Sequence, residues 1–149
     1  MPVDRSYASE DAVWGLWKLE EDEPALAALL PEQQITPAIT NVLKRLEVLA
    51  GRALIQALIS QWGLRYEGLT KDVYGKPYLS GSDIHISLSH SYPYVAAIAH
   101  RTKNVGIDLE QPKGKLLRIA HRVLSESELH DAGNDIVKHC VYWCAKESL

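Results

Sequence analysis

Two carboxylates, Asp108 and Glu110, stand two residues apart in the short apolar run "VGIDLE". In a strand the side chains alternate between faces, so these two point one way while Ile107 and Leu109 point the other. Like charges side by side destabilise a sheet unless a cation or a basic group lies between them. The pair therefore either holds a hard divalent ion such as Mg2+ or faces solvent and meets a lysine. Further on, "YWCAKESL" places Trp143 and Glu147 four apart on one helix face, with Lys146 turned aside. If that face looks at the end of the apolar run, Asp108, Glu110 and Glu147 converge. Three carboxylates suit Mg2+, with Mn2+ as the other hard candidate, and such a site usually serves a phosphate-bearing substrate.

Groups able to receive phosphates lie upstream. "SLSHS" supplies Ser89, His90 and Ser91 at a strand end, and "GKP" supplies Lys76 on the preceding turn. Arg45 and Arg52 are seven apart on a predicted helix and share a face bordering its apolar stripe. Each has an ordinary alternative: a solvated lysine, a structural histidine, arginines that lay their stems over apolar surface. Cys140 and Cys144 are four apart on one helix without a second Cys/His pair at zinc spacing, and read as packed thiols.

These groups need a scaffold, and 149 residues of which 46% are hydrophobic can bury one ordinary core. A formal charge of −3 gives no bulk case for nucleic acid, so any anion site must be local. The apolar stretches are strand-length or broken by charge, and "MPVDRSYASED" is acidic and polar without a secretory core, which predicts a cytoplasmic chain with no membrane partner. "DAVWGLWKL" reads as a strand, and Asp22 caps a short helix running towards Leu30. The clearest helix opens with Thr36 as N-cap and Pro37 behind it, carries apolar residues at three- and four-residue spacing from Ile39 to Leu58, and stops at Gly63. Gly75 and Pro77 mark a turn. "DIHISLS", "YVAAIAH" and "VGIDLE", joined by short polar linkers, predict an antiparallel meander under the long helix. A short helix over 118–123, a capping box at Ser125 and Glu128, and a last helix from Asp135 with a buried stripe of Ile136, Val137, Cys140, Val141 and Cys144 complete an α+β chain.

The ordered series "GKPYL", "ISLSHS", "VGIDLE", "RIAHRVLSESEL" and "WCAKES" closely resembles the 4'-phosphopantetheinyl transferases, specifically the surfactin-synthetase-activating type, over roughly residues 40–149. The resemblance implies transfer of 4'-phosphopantetheine from coenzyme A to a serine of an apo acyl or peptidyl carrier protein, releasing 3',5'-adenosine bisphosphate. It assigns Asp108, Glu110 and Glu147 to Mg2+, and makes Glu147, beside Lys146, the catalytic candidate that deprotonates the acceptor serine. It assigns Lys76, Ser89 and His90, with Arg52 and more loosely Arg45, to the coenzyme A end.

The resemblance also implies a pseudo-dimer of two α/β halves. Residues 1–104 would be the first half and 105–149 the truncated beginning of the second. The family pattern W-x-x-K-E-x-x-x-K runs past Leu149, where this sequence stops. An uncovered helix face and sheet edge would then favour self-association. Two other classes compete: a non-catalytic remnant that binds coenzyme A or a partner chain, and a metal-dependent phosphodiesterase, which the lack of a basic surface disfavours.

Overall fold

In the computed structural model, which describes residues 3–31 and 38–149, the alternation of "DAVWGLWKL" becomes strand β2 (Ala12–Lys18). Val13 and Trp17 point inward and are fully buried. β2 pairs antiparallel with β1 (Val3–Ala8) on one side and β6 (Tyr94–His100) on the other, and β6 pairs in turn with β5 (His85–Ser91). The sheet order is β1-β2-β6-β5. The polar N-terminal stretch is thus a strand. β1 lies at an edge with all but its first residue exposed, so it shows none of the in-out hydrophobic alternation that marks a half-buried strand.

Helix α2 (Val42–Ser60) covers one face of this sheet. Its inner stripe, including Leu49, Leu54, Ile55, Leu58 and Ile59, packs against Val13, Trp17, Ile86, Val95 and Ala97. Burying side chains of this kind is worth about 1.5–3 kcal/mol each before ordering costs. Gly15 permits the close approach: a Cβ there would sit 3.1 Å from a Leu58 methyl and 3.2 Å from one of Leu54. Helix α2 starts later than its periodicity suggested. Asn41 caps it, its Oδ1 accepting from Lys44 N–H at 3.0 Å, and Ile39 lies outside it. Thr36 and Pro37 fall outside the described residues. Helix α1 (Glu23–Ala28) opens as expected, with Asp22 Oδ1 accepting from Ala25 N–H, and packs on α2.

The turn around Gly75 belongs to a hairpin of β3 (Leu69–Lys71) and β4 (Pro77–Leu79), which forms its own two-stranded sheet. The larger correction concerns "VGIDLE". It forms no strand, and the expected three-strand meander gives way to β6 between β2 and β5. The segment runs along β5 held by side chains: Ile107 N–H donates to Ser87 Oγ at 3.2 Å and Leu109 N–H to Ser89 Oγ at 3.0 Å. The two-residue alternation survives, but hydroxyls replace backbone carbonyls as acceptors.

Beyond it lie α3 (Lys115–Ile119), a 3-10 turn (Ala120–Arg122), α4 (Glu126–Ala132) and α5 (Ile136–Glu147). Ser125 and Glu128 form the anticipated reciprocal cap of α4, and Asp135 caps α5. These helices pack on one another around Leu116, Ala120, Leu124, Ala132 and Cys140. The buried side of α5 differs from expectation. His139 and Cys140 are covered, whereas Val137 and Val141 are 56% and 64% exposed. The cause is the position of its neighbours: Cys140 lies against the backbone of Glu110, and His139 Nε2 bonds the Gly133 carbonyl at 2.8 Å.

Candidate functional site

Gly51, in mid-helix, faces Leu88 of β5, where a Cβ would stand in ordinary contact at 3.6 Å. Between α2, β5 and the β3–β4 hairpin lies a cleft of about 190 Å³. Lys44, Glu47 and Arg52 line it from α2, Lys71 from β3 and His90 from β5. Three cations against one carboxylate give the cleft a net positive lining.

His90 is held at both ring nitrogens. Its Nδ1 lies 2.9 Å from Glu47 Oε2, and Lys44 Nζ lies 3.1 Å from its Nε2. Arg52 is partly buried, and one of its guanidinium nitrogens, Nη1, is buried without a hydrogen-bond partner among the described residues. Burial lowers its pKa, opposed by the nearby Tyr66. The Tyr66 phenol is pushed up to about 12 by its own burial, and its oxygen likewise lacks a partner. A buried donor left unmatched costs free energy.

The structure parts the remaining sequence-derived candidates. Ser89 borders the same cleft as His90, but its hydroxyl emerges on the opposite face of β5. There it donates to Asp108 Oδ1 at 3.1 Å while accepting from Leu109 N–H. Arg45 turns to α1, gripping both Glu23 carboxylate oxygens and the Ile39 carbonyl, and ties two helices together outside the cleft. Lys76 lies 5.6 Å from the Tyr78 ring centre and borders a separate cavity beside Asp83 and His85. Lys146 pairs with Glu128 at 2.8 Å and holds α5 to α4.

Asp108, Glu110 and Glu147 approach one side of α5. The Cys144 thiol hydrogen-bonds to Asp108, and Cys140 donates to the Glu110 carbonyl at 3.4 Å. Burial first, then the Asp108 carboxylate, pushes Cys144 up to about 12, and burial raises Cys140 as well. Both therefore stay thiols at neutral pH and act as packing and donor groups. By helical spacing Glu147 follows Cys140 and Cys144 along the same face, but it is exposed. Glu110 turns one carboxylate oxygen onto Gln111 N–H. Among the described residues no three His, Cys, Asp or Glu side chains stand close enough to hold one ion. The donor chemistry of the three carboxylates suits a hard cation.

One backbone contact ties these parts together. A Cβ on Gly106 would overlap the Ser148 carbonyl, so only glycine lets the end of α5 come down beside Asp108. Sequence reasoning missed Lys44, Glu47 and Lys71.

The chain is an α+β fold with a cleft of net positive lining between helix and sheet. No family model matches the chain. It is similar to a 4'-phosphopantetheinyl transferase of Bacillus subtilis, 37% identical over 87 residues, which is 56% of this chain. The match spans 38% of that relative's length. This similarity supports the 4'-phosphopantetheinyl transferase superfamily and a phosphopantetheine-transfer function at family level.

Proposed function

We propose that this chain is part of a 4'-phosphopantetheinyl transferase of the surfactin-synthetase-activating type, and that the cleft between α2 and β5 receives the phosphates of coenzyme A. The observation that carries this reading is the cationic lining of the cleft, where Arg52, Lys44 and Lys71 stand around His90. Such groups bind phosphate oxygens by charge-assisted hydrogen bonds. The acceptor is the serine of an apo carrier protein, in the cytoplasm, and the leaving group is 3',5'-adenosine bisphosphate. Lys76 borders the neighbouring cavity and can serve the same ligand only by turning off Tyr78.

Asp108, Glu110 and Glu147 are the oxygen donors proposed for Mg2+, which when bound neutralises charge on phosphoryl oxygens. They are not gathered here, so the proposed chemistry of this chain's own groups is confined to two acts. The cleft holds the nucleotide phosphates, and Glu147, exposed on the last turn of α5, accepts the serine proton. Ser89 acts from behind by fixing the Asp108 carboxylate.

A second reading, a coenzyme A-binding chain that transfers nothing, is favoured by the ungathered carboxylates and by the Lys146–Glu128 pair. Mass spectrometry of an apo acyl carrier protein incubated with the chain, coenzyme A and Mg2+ separates the two. A gain of one phosphopantetheine, absent with Glu147→Ala, supports transfer. Thermal stabilisation by coenzyme A without any gain supports the binding reading. Neither response overturns both.

A further inference from the structure

The cleft's histidine has an unusual pair of neighbours for a phosphate receptor, because one of them is a carboxylate. Glu47 is only 11% exposed at its side chain, and His90 is 41% exposed. A lysine ammonium can only donate hydrogen bonds and an ionised carboxylate can only accept them. With Lys44 Nζ at Nε2 and Glu47 Oε2 at Nδ1, one assignment satisfies all three groups. Lys44 donates to Nε2, and Nδ1–H donates to Glu47. The opposite tautomer sets two donors face to face at Nε2 and two acceptors at Nδ1. An imidazolium puts its Nε2–H against the ammonium.

We propose that Glu47 and Lys44 are positioning residues that fix His90 as the neutral Nδ1–H tautomer, and that an entering phosphate converts it to a cation. This rests on the coenzyme A reading for the identity of the anion, but not for the tautomer. The phosphate draws Lys44 off Nε2 to itself. Nε2 then takes a proton from water and donates it in a hydrogen bond to the phosphate, while Glu47 balances the new charge at Nδ1. The other charged groups of the cleft, Arg52 on α2 and Lys71 on β3, oppose protonation when it is empty and are countered by the phosphate when it is filled. Val95, the residue of β6 paired with His90, adds no charge. Lys44 thus keeps the empty cleft from carrying a fourth cation, and Glu47 supports that charge in the bound state.

Long-range 1H–15N correlation of the imidazole in the full ligand-free chain at pH 8 reads the tautomer directly. The expected result is a protonated Nδ1 and an unprotonated Nε2 for His90, with both shifts moving towards averaged values in Glu47→Leu. An Nε2–H tautomer, an averaged pair in the wild type, or unchanged shifts in Glu47→Leu overturns the positioning role. The second arm is calorimetric titration of coenzyme A in two buffers of different ionisation enthalpy at pH 7.5 or so. Uptake approaching one proton per coenzyme A is expected, with affinity falling about tenfold in Glu47→Gln, which keeps an acceptor but loses the charge. Binding without proton uptake overturns the conversion. Absence of any coenzyme A binding refutes the ligand reading and the conversion with it, while the tautomer result stands or falls by itself.

Discussion

In the cleft, Lys44, Glu47 and Arg52 ride on a helix whose inner side is buried against the sheet, and His90 ends a strand paired with β6 from His85 to Ser91. Beside α5, Asp108 and Glu110 ride on a segment that belongs to no sheet and hangs from two serine hydroxyls. The helices behind it are joined by two polar pairs, half-buried Lys146 with Glu128 and exposed Lys138 with Asp131, around a small cluster of their own. The cleft therefore inherits its geometry from the core. The acidic side inherits its geometry from side-chain contacts that can be lost one at a time.

The largest separation of the two regions comes from the core. Leu54→Ala removes a fully buried side chain from beneath the cleft and is expected to cost about 2–5 kcal/mol. Denaturant melts should show this as a lower midpoint, with the cleft's ligand affinity falling in parallel. Next is Gly106→Val, which collides with the Ser148 carbonyl and should cost about 1–3 kcal/mol locally. Hydrogen exchange is expected to rise in α5 and at residues 105–110 while α2 and β6 keep their protection. Rising exchange throughout would dissolve the distinction.

Ser89→Ala cuts the hydroxyl that joins Asp108 to Leu109 N–H, at about 1–2 kcal/mol. Exchange at Leu109 should accelerate, whereas His90, on the opposite face, keeps its imidazole shifts. The smallest effect is acid sensitivity. The Lys146 ammonium, then Ser125 N–H, hold Glu128 below its ordinary 4.5, and the Tyr142 hydroxyl, then Lys138, hold Asp131 below 3.8. Carboxylates lowered in the fold stabilise it above their ordinary values and lose that contribution as pH falls through the lowered ones. NMR spectra taken from pH 6 down to pH 3 or so should perturb α4 and α5 before the sheet.

Much of this frame was legible in the residues. Asp22, the Ser125–Glu128 box and Asp135 announced three helix starts because caps are local chemistry. The alternation of Ile86 and Leu88 announced β5, and the apolar stripe of α2 announced its inner side. Strand β1 stayed hidden because an exposed edge has no burial pattern. The residues of "VGIDLE" looked like a strand since their backbone does alternate, and nothing in their own types says that serine hydroxyls would be the acceptors. Of the site, Arg52 and His90 line one cleft, while Ser89 and Arg45 have structural partners that spacing alone does not disclose. Lys44 and Glu47 matter through contacts 46 and 43 residues distant in sequence, beyond the reach of any local pattern.

The central claim is that the cleft on α2 and β5 is an anion receptor for coenzyme A. Its most direct test is calorimetric titration of coenzyme A into the wild-type chain and into Arg52→Ala, with a melt of each to show that the fold is kept. Saturable binding that weakens about tenfold or more without the guanidinium is the result expected of a cation lining the cleft. No binding by the wild type, or equal affinity in a folded Arg52→Ala, would contradict it.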